Sequence, residues 1–112
     1  MDRDELISND LEKTLEIYIN LLEQRLYFEA HEVLEETWHP LRKANHPLKN
    51  FIKGLINASI AFEHIKRDRP KSKDRAKRVI ISYERYKNLA IEHPTVIETI
   101  EKIENIKKSK NL

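Results

Sequence analysis

Apolar residues recur at helical intervals along most of the chain. Leu11, Leu15, Tyr18, Ile19 and Leu22 share one face of a first segment from about Asp10 to Glu23, with Asn9 or Asp10 placed to cap its start. Met1 to Ser8 are read as an extension of that helix or a frayed end. Gln24 to Tyr27 reads as a short connection. A second segment then sets Phe28, Leu34 and Trp38 on one side and should stop at His39-Pro40, since proline disfavours helical geometry in the residue before it. After a loop from His39 to Pro47, a third helix runs to about Lys66 with Pro47 in its first turn, and Leu48, Phe51, Ile52, Leu55, Ile56, Ser59 and Phe62 form its broad buried face. Arg67-Asp68-Arg69-Pro70 is the next turn. The fourth helix reaches about Ile91 and turns Ala76, Val79, Ile80, Tyr83, Tyr86 and Ala90 inward. Glu92-His93-Pro94 interrupts the chain again. The fifth helix, about 95–108, opens on the capping-box pattern Thr95-Val96-Ile97-Glu98 and carries Val96, Ile100, Ile103 and Ile106. Connections this short make sequence neighbours spatial neighbours. The prediction is all-α: a compact single-domain bundle of about five helices over 1–112.

Two positions break the pattern and so draw attention. In the second helix, His31 and Glu35 project between Phe28, Leu34 and Trp38, whereas Glu29, Glu32 and Glu36 fall on the opposite, solvent-facing side. Spaced i,i+4, His31 and Glu35 can touch, and a buried polar group without a partner costs about 1–3 kcal/mol. In the third helix, Gly54 sits where glycine costs roughly 1 kcal/mol relative to alanine. Close approach of another backbone, or of a large side chain such as Trp38, would account for it. The second and third helices are expected to pack through Trp38 and Gly54.

The composition narrows the class. Of 112 residues, 36% are charged and 39% hydrophobic, which suits a small helical protein with a narrow apolar stripe. A single glycine argues against a hairpin-built sandwich or barrel. The absence of cysteine excludes disulfides and thiolate metal sites, and with no apolar leader after Met1-Asp2-Arg3-Asp4-Glu5 a cytoplasmic location is expected. No apolar run has the length of a membrane span, so no membrane partner is expected. A net charge of +2 is too small to imply nucleic acid. Self-association is left open.

His31-Glu32-x-x-Glu35 admits two readings. An imidazole and a carboxylate one helical turn apart can ligate one divalent ion, with His64 or Glu63 on the third helix as a further ligand. In a catalytic version His31 is ligand or general base, and Glu35 is ligand or the carboxylate that orients it. The other reading is a structural hydrogen bond that fixes helix packing. The sequence requires no cofactor; a divalent metal stays open. Glu36-x-x-His39 is half of a di-iron signature whose other parts are missing. Trp38 reads as a core anchor, Asn57 and His64 as a solvated flank with Lys53 beside them, and His46 and His93 as loop residues. The basic run from Lys66 to Arg78 reads as a solvated face. Its alternative is a surface for phosphate or an acidic partner through Lys71, Lys73 and Arg75.

The stretch from Phe28 to Trp38, F-E-A-H-E-V-L-E-E-T-W, followed by F-I-K-G-L-I-N-A at 51–58, resembles the DUF309 family. That family is small, all-helical and of unestablished function, and has carried the label of predicted metal-dependent hydrolase. The resemblance covers a core of about 22–90. It implies motif positions at Phe28, His31, Glu32, Glu35 and Trp38, and at Gly54, Leu55 and Ile56. This chain departs from the pattern twice: Lys53 stands where a glutamine is common, and Arg75-Ala76 replaces a Gly-Ala pair. If the glutamine position belongs to the site, Lys53 brings a positive charge that disfavours a metal nearby.

Overall fold

The structure, a computed structural model, describes residues 6–112. α1 (Asn9–Glu23) presents Leu11, Leu15, Tyr18, Ile19 and Leu22 to the core, as the periodicity predicts. Its cap is Ser8 rather than Asn9 or Asp10: the Ser8 hydroxyl accepts from the Leu11 amide at 3.1 Å. Of the leading stretch, Ile7 is buried, and Met1 to Glu5 lie outside the described residues.

α2 (Tyr27–Lys43) starts one residue earlier than predicted and runs through Pro40. Proline removes one amide donor, which leaves the Glu36 carbonyl without its helical partner. Both residues are exposed, so water can satisfy that carbonyl and the helix continues. Its true stop is Asn45, in the left-handed region with φ 51°, after which the His46 amide returns to the Leu41 carbonyl at 2.9 Å. Asparagine is one of the few residues that tolerate this conformation at a helix end.

α3 (Lys49–Arg67) is the spine of the fold. All seven predicted core positions are buried, joined by Gly54, Ala58 and Ala61. It begins at Lys49 rather than Pro47, with the Leu48 amide donating to His46 Nδ1 at 3.0 Å. α2 lies along one side of α3, with Tyr27 and Phe62 ring centroids 5.5 Å apart edge to face. α1 is tied to α3 by the Tyr18 hydroxyl, which donates to the Leu55 carbonyl at 2.7 Å inside the core.

The predicted fourth helix is broken at Ile80 into α4 (Ser72–Val79) and α5 (Ile81–Tyr86), followed by a single 3-10 turn at Lys87–Leu89. The break lies next to a close approach of α3 and α5. A Cβ on Gly54 would stand 3.1 Å from Tyr83 Cα and 3.4 Å from the Ser82 carbonyl oxygen. Gly54 therefore admits the α5 backbone, and the three atoms nearest an added Cβ all belong to α5 rather than to Trp38. The seat is closed by Asn57, whose side-chain amide donates to Ser82 Oγ at 2.6 Å.

α6 (Pro94–Ser109) buries Val96, Thr99 and Ile103. His93, not Thr95, caps it: His93 Nδ1 accepts from the Thr95 amide at 3.2 Å, with Pro94 in the first turn. Thr95 instead donates to Glu12 on α1, joining the two helices. Among the described residues, from α1 onward, the result is a compact all-α bundle of five helical segments, the fourth in two pieces. Its radius of gyration of 13.4 Å is close to the roughly 13 Å expected of a compact chain of this length. Among the described residues no helix is long and apolar enough to cross a membrane.

Candidate functional site

The rotation of α2 decides what its motif can do. Its buried line is Tyr27, Ala30 and Leu34, with Trp38 and Leu41 partly buried behind it. At 100° per residue, His31, Glu35 and Phe28 stand about 60°, 100° and 120° from the centre of that line. Exposure rises in the same order. The His31 side chain is 17% exposed, the Glu35 side chain 41%, and Phe28 45%. Phe28, expected on the buried face, is thus a surface ring, and Tyr27, at 3%, takes the core position. Glu29, Glu32 and Glu36 face solvent as expected.

His31 and Glu35 do meet, with Nε2 and Oε2 2.8 Å apart. The other ring nitrogen, Nδ1, lies 2.9 Å from the Phe28 carbonyl oxygen. Both ring nitrogens thus face oxygen atoms of the same helix, and in either neutral tautomer the ring N–H has an acceptor. Among the described residues, no three of His, Asp and Glu converge as a metal site requires. The described residues thus supply no third ligand beside His31 and Glu35.

Beside this pair a pocket of about 240 Å³ opens between α2 and α3, lined by Phe28, His31, Ile60, Glu63, His64 and Arg67. His31 and His64, on separate helices, are thus brought to one recess, while Asn57 is turned away to Ser82. Phe28 stacks obliquely on His31, ring centroids 5.2 Å apart. Glu63 is held by Arg67, its Oε2 accepting from Nε at 2.8 Å. Burial first, then Arg75 and Arg67, hold the His64 imidazole below its usual range, with Glu63 opposing them. The neutral ring is favoured.

Trp38 is partly buried and packs against the core. Its half-buried ring is flanked by Lys53 Nζ at 4.5 Å and the Arg42 guanidinium at 5.4 Å from its centroid. Cations over an indole face are attracted by its quadrupole, by about 0.5–1 kcal/mol at exposed sites. Lys53, the departure from the family pattern, therefore sits over Trp38 and outside the pocket around His31. Lys71, Lys73 and Arg75 are exposed at the start of α4. Lys73 lines a recess with Asp68, Arg69 and Lys110.

Three residues that shape the site escaped the sequence reading: Tyr27, Ile60 and Arg67. Ile60 was the most accessible of them, since it is one of two isoleucines of the third helix, with Ile65, outside the predicted face. The model of DUF309, a domain of unknown function, matches residues 15–75, more than half the chain and all of this pocket. The chain belongs to the DUF309 family. No curated protein and no solved structure matches it. The matched segment of this DUF309 protein spans most of α1, all of α2 and α3, and the first residues of α4.

Proposed function

We propose that this DUF309 protein is a binding module that takes one apolar side chain of a partner protein into the pocket between α2 and α3. The observation that carries the reading is that the polar and charged groups around the pocket are engaged with one another. His31 is paired with Glu35 and Glu63 with Arg67, each at 2.8 Å. His64 is held toward its neutral form, so the floor offered to a ligand is Phe28 and Ile60. Size agrees with this. About 240 Å³ exceeds the roughly 150 Å³ cavity that holds a benzene but falls below the ~300–1,000 Å³ usual for small-molecule sites. One leucine or phenylalanine side chain fits that interval. The family's hydrolase label finds no support in this donor set. The pair His31–Glu35 acts in this reading as a wall of the pocket, held by the contacts of the ring with the Glu35 carboxylate and the Phe28 carbonyl.

The test is selection of peptides from a random displayed library against the full chain, followed by affinity measurement on the variants Ile60→Glu and Phe28→Ser. Burying one large apolar side chain contributes about 1.5–3 kcal/mol. A consensus with a single large apolar anchor should emerge, and both variants should weaken it at least tenfold. A consensus without an apolar anchor, or affinities unchanged in both variants, would overturn the proposal. Phe28 is already half exposed, so its substitution leaves the fold intact should the Ile60 variant be destabilised.

A further inference from the structure

A second surface, independent of the α2–α3 pocket, gathers cations from three separate parts of the chain. Arg25 lies in the turn between α1 and α2, Lys66 in the last turn of α3, and Lys110 at the end of α6. Lys66 Nζ donates to the Arg25 main-chain carbonyl at 2.7 Å, which fixes the two elements together. Lys66 and Lys110 both approach the buried Tyr27 ring, their ammonium nitrogens 6.0 and 5.3 Å from its centroid. None of the ion pairs among the described residues includes Arg25, Lys66 or Lys110. The nearby carboxylates are engaged elsewhere, Glu63 with Arg67 and Glu23 with Lys102, while Asp68 lines the neighbouring recess.

Three cations held together without a counter-ion repel one another, and a bound polyanion relieves that repulsion. We infer that this end of the bundle is a binding site for a small ligand bearing adjacent phosphates, held by Arg25, Lys66 and Lys110. Two recesses of about 470 and 480 Å³ share Lys110, one reaching Arg69 and Lys73 and the other Arg25. That division gives room for a phosphate on each side of Lys110. Lysine ammoniums are compact point charges that select charge density over planar shape, which favours phosphate over a single carboxylate. The Lys110 amine is itself held below its usual range, by burial first and then by Arg25 and Lys66, a direction that a bound anion would oppose.

The experiment is calorimetric titration of the full chain with sodium pyrophosphate, inorganic phosphate and sodium chloride at matched ionic strength. The variants are Lys110→Ala and Lys66→Met, with Lys13→Ala, on an exposed position of α1, as control. Saturable pyrophosphate binding, tighter than that of phosphate and weakened at least tenfold by either cluster variant but not by Lys13→Ala, is the expected result. Lys110 makes no hydrogen bond that its loss would break, so that variant reports on charge even if the Lys66 variant unfolds. Heat that follows ionic strength alone, or binding equal in the wild type and Lys110→Ala, would overturn the inference. Single-stranded oligonucleotides that bind more tightly than pyrophosphate, with affinity rising with length, would overturn it too, by replacing a small ligand with a nucleic acid.

Discussion

Gly54→Ala sets two calculable effects against each other. Replacing a helical glycine by alanine contributes about 1 kcal/mol of stability through helix propensity. Against it stands a new methyl 3.1 Å from Tyr83 Cα, 3.4 Å from the Ser82 carbonyl oxygen and 3.6 Å from the Tyr83 nitrogen. All three atoms are backbone, so no side chain can swing aside, and α5 as a whole must move by a few tenths of an ångström. That movement works against the 2.6 Å Asn57–Ser82 hydrogen bond and the seating of the buried Tyr83. Overpacking a tight core costs about 1–3 kcal/mol, and a hydrogen bond of this kind contributes about 0.5–1.5 kcal/mol. The expected net effect of Gly54→Ala is a loss of about 1 kcal/mol, and Gly54→Leu should lose several times that. Urea unfolding followed by circular dichroism measures both, with the slope of the transition checked for constancy. In an Asn57→Ala background the alanine penalty should shrink, because α5 is then freer to move. A Gly54→Ala protein more stable by the full propensity gain would refute the close α3–α5 approach.

Further predictions rest on single groups. Tyr18→Phe removes the buried hydroxyl that donates to the Leu55 carbonyl and should destabilise the fold by about 1 kcal/mol in the same assay. The His64 imidazole is held below its ordinary 6.5, so the unfolded chain binds the proton more readily than the folded one. Its contribution is therefore present above pH 6.5 and lost as the pH falls through the folded value. Relative to His64→Gln, the wild type should lose stability on acidification below pH 6.5, and parallel profiles for the two proteins would contradict this. Glu84, despite its burial, is held below its ordinary 4.5 by hydrogen bonds from Lys107 and Lys87. Glu84→Gln should thus cost stability at neutral pH and leave a smaller acid-induced loss as the pH drops through and below 4.5.

Much of the fold was legible because apolar periodicity reports directly on burial. Leu11 to Leu22 and Leu48 to Phe62 fell on the core faces assigned to them. The departures have physical reasons. Pro40 looked like a stop, yet a proline on the solvent side removes one hydrogen bond that water can replace, and Asn45 ends the helix instead. The fourth helix broke where the α5 backbone settles onto Gly54, a tertiary event that a single helix's pattern does not record. Of the two explanations for Gly54, backbone approach is the one its nearest neighbours bear out. The site was legible in part. The i,i+4 spacing predicted contact between His31 and Glu35, which forms, but the α2 rotation depends on Tyr27 packing edge to face on Phe62. That choice of Tyr27 over its neighbour Phe28 cannot be made from two adjacent aromatics alone. The cations at the bundle end come from residues 25, 66 and 110, and only the fold brings them together.

The central claim is that an apolar side chain of a partner enters the recess between α2 and α3. It is tested most directly by nuclear Overhauser contacts in the complex with a selected, leucine- or phenylalanine-anchored peptide. Contacts from the Phe28 ring and the Ile60 methyls to the anchor side chain are predicted, with the His31–Glu35 pair intact in the complex. Contacts confined to the basic surface around Lys71, Lys73 and Arg75, with none at Phe28 or Ile60, would contradict the account.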